Sequence, residues 1–274
     1  MTHILHRTIK HHYPTAASGS GIFIRDATGK DRFGLAARKP AEASATLDGI
    51  GDMHDWRMWW HRGLVALCTG TATVAIDWLD PVYTELPGEV APKLALALAH
   101  ELAGELERSA ELYDRACRCD PSYVSGAFGL ARVRLRLRDR DAAVEALERV
   151  PSASSAYGDA RVAAVRAMAT RFDNGTGLPV PDQLARASAI VERLDLAPAR
   201  RAQLDLELFE AGLFALVGGQ PRDGVRICGR PLAERALREG LEESYRQLAK
   251  HATTSRDRIA LIDCANRVRP RTLW

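Results

Sequence analysis

A recurring stop constrains this chain more than any other feature. Pro87 and Pro121 lie 34 residues apart, and each closes a stretch in which Leu, Ala and Val return every three or four residues with Glu and Arg between them. That spacing puts apolar side chains on one stripe of a helix. Proline then ends the helix, because it has no N–H to donate and its ring clashes with the preceding turn. If Pro87 takes position 32 of a unit, Trp59 falls at position 4, Gly63 at 8, Ala75 at 20, Leu79 at 24 and Val82 at 27. One period later the same positions hold Lys93, Ala97, Ser109, Tyr113 and Ala116, with Pro121 in place. A third period gives Ala127, Ala131, Ala143, Leu147 and Val150, with Pro151 four residues early. Small side chains recur where two paired helices must cross closely. Larger ones recur where a gap to the neighbouring unit must be filled.

Two helices per 34 residues with this pattern is the tetratricopeptide (TPR) arrangement. The expected fold is all-α: a TPR-like α-solenoid over residues 55–156. The 34-residue phase is lost after Ser155, but helical patterning continues over Tyr157–Phe172, Asp182–Leu194, Pro198–Val217, Gly229–His251 and Ser255–Arg267. Residues 157–274 therefore read as a helical C-terminal extension that covers the last apolar face of the array. Residues 1–54 have a different texture, rich in glycine. Gly21–Asp26 reads as a strand, Ala27–Lys30 as a turn and Asp31–Phe33 as a returning strand, with Ala36–Asp52 as linker. The array is thus preceded by a short β-hairpin/coil segment.

Composition removes several function classes. Net charge is +3, and of 38 basic residues only five are lysine. Such a weak balance is not the footprint of a nucleic-acid binder. Arg132, Arg134, Arg136, Arg138 and Arg140 alternate along the chain. Residues two apart spread round a helix instead of forming a stripe, so these read as a solvated face with ion pairs. The five cysteines, Cys68, Cys117, Cys119, Cys228 and Cys264, contain no C-x-x-C pair and read as free thiols. His3, His6, His11 and His12 lack accompanying carboxylates or thiols, so no metal or other cofactor is expected. Ser18–Gly21 has a strand after it instead of a helix, which is wrong for a phosphate cradle. No apolar run approaches the length of a membrane span. The expected protein is soluble and cytoplasmic, with no nucleic-acid or membrane partner.

The concave face of a TPR array comes mainly from positions 2, 5, 9 and 12 or 13 of each first helix. Here those are Arg57, Trp60, Leu64 and Cys68; Ala91, Leu94, Leu98 and Glu101; and Ser125, Phe128, Arg132 and Arg136. The expected groove is apolar at its base with arginines in the third repeat. It suits a peptide or helix with apolar anchors and an acidic patch. The chain has only two asparagines, Asn174 and Asn266, both outside the repeats. The asparagine-and-lysine clamp of chaperone-binding TPR proteins is therefore excluded.

Several segments together carry a family resemblance. They are Trp56-Arg57 with Trp60-His61-Arg62-Gly63, Leu86-Pro87-Gly88-Glu89, Asp120-Pro121-Ser122-Tyr123 and Ala127-Phe128-Gly129-Leu130-Ala131-Arg132. Toward the end come Arg230-Pro231-Leu232-Ala233-Glu234-Arg235, Leu237-Arg238-Glu239-Gly240-Leu241-Glu242 and Ala265-Asn266-Arg267-Val268-Arg269-Pro270. From about Asp55 to Trp274 the chain resembles the C-terminal TPR region of the actinobacterial serine/threonine protein kinase G family. In that family a metal module and a kinase domain precede the TPR region. The sequence has no G-x-G-x-x-G-x-V loop, no H-R-D and no D-F-G, so nothing would hold phosphates and Mg²⁺. The resemblance implies a non-catalytic module that recruits a protein partner (a peptide or FHA-type substrate protein) or pairs with itself as a homodimer. A free-standing TPR adaptor and an enzyme fragment are the alternatives, and no nucleophile–base pair supports the latter.

His3-Ile4-Leu5-His6-Arg7, Tyr13-Pro14 and Gly19–Lys30 resemble the opening of a class III pyridoxal-phosphate aminotransferase. The large cofactor domain does not follow. This second resemblance, over about residues 3–33, implies a chain joined from two unrelated fragments, with no aminotransferase activity.

Overall fold

The computed structural model describes residues 24–25, 31–32, 40–50, 55–172, 177–219 and 224–270. The chain divides into two compact units, 1–137 and 138–274. The division falls inside the third repeat of the sequence register. The four N-terminal histidines and the Ser18–Gly21 turn lie outside the described residues.

In the first unit, β1 (Ile24–Arg25) and β2 (Asp31–Arg32) pair antiparallel, with Ile24 opposite Arg32 and Arg25 opposite Asp31. This antiparallel pairing agrees with the strand–turn–strand pattern, and the turn itself lies outside the described residues. The expected linker differs: its centre is helix α1 (Pro40–Ile50). Pro40 opens that helix and Glu42 lies in its first turn, both favourable at an N-terminus. Ala43 and Leu47, one turn apart, are buried against Met58 and Val65. Two apolar side chains among alanines and serines give too faint a period to read in sequence, yet they suffice once a neighbouring helix offers a matching stripe.

The repeats follow as α2 (Trp56–Thr69), α3 (Ala72–Glu85), α4 (Val90–Ala103), α5 (Leu106–Cys119) and α6 (Val124–Arg136). First helices begin at residues 56, 90 and 124, and second helices at 72 and 106, all 34 apart. Helix α1 starts at residue 40, where the second helix of a preceding pair would lie, and it covers α2 as such a helix would.

The small positions act as expected. A Cβ added at Gly63 would sit 2.5 Å from Leu79 Cγ, so α2 and α3 cross with no room for a methyl group. At the equivalent crossing, Ser109 Oγ donates to the Ala97 carbonyl at 2.7 Å. Tyr113 fills the next gap, its ring 2.5 Å from where a Gly129 Cβ would stand. Lys93 occupies position 4 of its repeat, where a large apolar residue is usual, and is 3% exposed. Its ammonium donates to the carbonyls of Pro87 and Glu89, satisfying the turn ahead of its own helix.

A further 34-residue spacing concerns backbone sign. Gly70 and Gly104 end α2 and α4 with φ of 80° and 85°, left-handed caps that glycine adopts without strain. One period on stands Arg138, φ 62°, where a side chain is disfavoured.

In the second unit, α7 (Arg140–Glu148), α8 (Tyr157–Ala169), α9 (Pro181–Arg193) and α10 (Pro198–Val217) precede β3 (Arg226–Ile227), β4 (Arg230–Pro231), α11 (Glu234–Lys250) and α12 (Ser255–Val268). Leu147, Met168, Leu184, Leu204, Leu208, Ile227 and Leu237 are fully buried within it. The expected helix from Gly229 begins five residues later, at Glu234. Cys228 and Gly229 have φ of 45° and 75°, the two left-handed residues of a tight hairpin turn joining β3 to β4. Arg140 is also unlike the solvated residue expected. It is buried, donates to the Thr170 and Gly177 carbonyls at 2.6 and 2.8 Å, and lies 4.9 Å over the Phe172 ring. One guanidinium thereby ties Thr170 to Gly177.

Two predictions follow from these conformations. Replacing Arg138 with Gly should raise the free energy of unfolding by about 1 kcal/mol, the cost of a side chain at a left-handed position, measurable by urea denaturation. The second concerns His61. It is buried, its Nδ1 has no hydrogen-bond partner, and burial depresses its pKa to about 4. Between pH 6.5 and 4 the unfolded chain therefore binds a proton that the native chain refuses, so stability falls with pH across that window. The full loss attributable to this group is roughly 3 kcal/mol. His61→Leu should flatten the pH dependence of the urea midpoint relative to wild type, whereas parallel curves would refute it.

Candidate functional site

The expected face lies on the first helices α2, α4 and α6. On α6, Phe128, Arg132 and Arg136 recur four residues apart and form one stripe. On α4, Leu94, Leu98 and Glu101 form another. Three hydrogen bonds from Arg132 and Arg136 to Glu101 bring the two stripes side by side.

Trp60, Leu64 and Leu94 are buried. They floor the face as an apolar base and offer little surface. Leu98, Phe128 and Arg132 are half-buried, and Arg136 is exposed. Arg57 is also exposed, but it pairs with Asp55 at 3.2 Å and lies 4.7 Å over the Trp56 ring. The surface a partner could touch is therefore narrower than the sequence register suggested. It centres on the second and third repeats.

Glu101 organises that centre. Its carboxylate is 5% exposed and accepts two parallel bonds from Arg132, Nε at 2.5 Å and Nη2 at 2.6 Å. This fork geometry is the strong form of an arginine–carboxylate pair. The Tyr113 hydroxyl, from α5, donates to the same carboxylate at 3.1 Å. Burial, and then the adjacent Glu101 charge, push the Tyr113 hydroxyl above its ordinary pKa, so it stays a donor. The Glu101 hydrogen bonds likewise raise Arg132 above its ordinary value. Arg136 approaches differently: Nη1 donates to the Glu101 main-chain carbonyl at 3.1 Å. The sequence placed Glu101, Arg132 and Arg136 on one face but did not disclose that they bind one another. The signal available was a single acid, Glu101, just after the apolar run Leu94-Ala95-Leu96-Ala97-Leu98-Ala99, followed a period later by arginines on the facing stripe.

A second constellation joins Ser188 on α9, Asp205 on α10 and Cys228 in the hairpin turn. The Cys228 N–H donates to Ser188 Oγ at 2.6 Å. Burial, and then the Asp205 carboxylate that its thiol contacts, push the Cys228 thiol well above the ordinary thiol range. Burial also raises Asp205. A thiol kept protonated is a poor nucleophile, so the trio reads as a hairpin anchor. Cys117 is buried and Cys119 exposed, as opposite faces of a helix require. Among the described residues no group of three or more His, Cys, Asp or Glu is placed to hold a metal ion. Nor is any helix there long and apolar enough to cross a membrane.

Comparison with known proteins bears on this geometry. The model of the family described as "Protein kinase G tetratricopeptide repeat" matches residues 30–272. The chain is 35% identical over 232 residues to "Serine/threonine-protein kinase PknG" of Mycobacterium leprae, covering 84% of this chain and 30% of that protein. It is 33% identical over 215 residues to the protein of the same name from Mycolicibacterium smegmatis, covering 78% of this chain and 28% of that one. The chain thus spans less than a third of the curated relatives it matches. Among solved structures, MamA from Desulfovibrio magneticus RS-1 aligns with a TM-score of 0.41 and 12% identity, over 79% of this chain and 94% of that one. The family match includes helix α1, which lies within the glycine-rich segment 1–54 that precedes the repeat register. The aminotransferase resemblance of residues 3–33 is unsupported by these matches.

The ion-pair geometry gives a stability test. Arg132→Met removes the fork and leaves a buried carboxylate underpaired, at a cost of about 2–3 kcal/mol. That is below the cost for a fully buried pair, because Arg132 is 37% exposed. Urea unfolding of the variant measures the loss, and a change within experimental error would contradict the role given to Glu101.

Proposed function

The chain belongs to the protein kinase G tetratricopeptide repeat family, and from that premise we propose that it is a non-catalytic, cytoplasmic protein-docking module of a kinase-centred signalling unit. The observation that carries this reading is the face on α4 and α6. Half-buried Leu98 and Phe128 and the guanidinium groups of Arg132 and Arg136 lie over a buried apolar floor. A rigid floor, a few apolar anchors and fixed charges make up the surface on which a peptide or helix docks. Glu101 supplies the rigidity, so a partner does not have to order Arg132 on arrival.

The partner that best fits a kinase-associated repeat array is a protein substrate, here an FHA-type protein, bound so that a catalytic domain can reach it. The same face would serve a free-standing adaptor, and self-association is the competing use of the surface.

Two measurements on the full chain separate these uses. Size-exclusion chromatography with light scattering reports self-association. Isothermal titration with a purified FHA-type substrate protein from the same organism reports docking. Binding should be detectable and should weaken about tenfold or more in Phe128→Ala, as for an anchor residue. A strict monomer that binds no such protein, or binding indifferent to Phe128, would refute the docking reading.

A further inference from the structure

The arginines of the docking face are not equivalent. Arg57 is neutralised by Asp55 at 3.2 Å. Arg132 spends Nε and Nη2 on the Glu101 carboxylate, with Nη2 also 3.4 Å from the Tyr113 hydroxyl. Arg136 is set apart. Its one carboxylate neighbour within 4 Å among the described residues is Glu101, at 3.9 Å. That carboxylate is already occupied by the Arg132 fork and by Tyr113. What fixes Arg136 is a main-chain carbonyl, which orients one edge of the guanidinium without cancelling its charge. With one acid and two arginines, this part of the face keeps a net positive charge. Arg136, 47% exposed, is where it meets solvent.

We propose that Arg136 is the receptor for a carboxylate of the docked protein segment, with Phe128 and Leu98 taking an apolar side chain beside it. This rests on the docking reading above and adds the chemistry of the ligand: an acidic peptide segment bearing an apolar anchor. Phe128 and Arg136 are eight residues apart on α6, which is about 12 Å along a helix. Three to four residues of an extended peptide, or two turns of a helix, span that distance. The free edge of a guanidinium matches a carboxylate bidentately, and Arg136 arrives already oriented. Arg132 and Glu101 are positioning residues: they hold the two helices in register and keep Glu101 from capturing Arg136. The carboxylate is that of an Asp or Glu side chain, and blocked C-termini in the test distinguish it from a chain terminus.

The experiment selects binders to the full chain from a randomised 12-residue peptide library displayed with both free and blocked C-termini. Wild type, Arg136→Met, Arg136→Lys and Phe128→Ala are screened in parallel. Thermal melts check that each variant folds. Wild type should enrich peptides pairing an apolar residue with Asp or Glu whether the C-terminus is free or blocked, and enrichment that requires a free C-terminus overturns the proposal. Arg136→Met should retain the apolar preference and lose the acidic one, and Arg136→Lys should keep part of it. The best wild-type peptide, titrated by fluorescence anisotropy, should bind Arg136→Met at least tenfold more weakly. An acidic preference that survives in Arg136→Met, or wild-type peptides without one, overturns the proposal and leaves docking intact, provided that Phe128→Ala still abolishes selection. No enrichment at all, or enrichment indifferent to Phe128→Ala, overturns the docking reading and this proposal with it.

Discussion

The paired helices α2 and α3, and likewise α4 and α5, cross so closely that one of each pair lacks a side chain or carries a very short one at the crossing. Gly63 leaves no space for a methyl group against Leu79, and Ser109 turns the same closeness into a hydrogen bond to the Ala97 carbonyl. The crossing fixes the rotation of each first helix about its own axis. Once that is fixed, positions 2, 5, 9 and 12 or 13 of the first helices have to face the same way, and the face on α4 and α6 follows from packing. Close packing turns a volume change of one methylene into a shift of the whole helix. The small residues therefore specify the surface although none of them lies on it.

The face would still be loose without a tie between repeats. Glu101 supplies that tie as a buried carboxylate, which must be paired to be tolerated at all. It draws Arg132 from the next repeat and Tyr113 from its own second helix into one network. Such a pair adds little net stability over apolar packing, but losing one partner is costly. Its value here is specificity of arrangement. It consumes one arginine of the face and leaves the other charged toward solvent.

Much of this was legible in the sequence because helical repeats are local. The 34-residue register placed Gly63, Ala97, Ser109, Leu79 and Tyr113 in their structural roles, and the helix starts keep that spacing. Other features escaped because they depend on a neighbour and not on a pattern. Helix α1 has only Ala43 and Leu47 to bury, and they acquire meaning when Met58 and Val65 lie opposite. Lys93 and Arg140 look like surface residues until the carbonyls they satisfy are in place. Strand β4 of the β3–β4 hairpin falls in the stretch read as helix from Gly229, since Cys228-Gly229 is a left-handed turn with only one glycine. Glu101 falls on the expected face, but its arginine partners lie about a full period away in sequence, beyond any local reading.

Methyl-resolved NMR of the full chain, with leucine, valine and alanine methyls labelled, tests the central claim most directly. The probe is an acidic peptide bearing a single leucine anchor. The account predicts that added peptide shifts the Leu94, Leu98, Ala91 and Ala127 methyls on α4 and α6, while those of α3, α5 and the 138–274 unit stay in place. Shifts centred on α3 and α5, or within the 138–274 unit, would show that partners bind elsewhere and would contradict it.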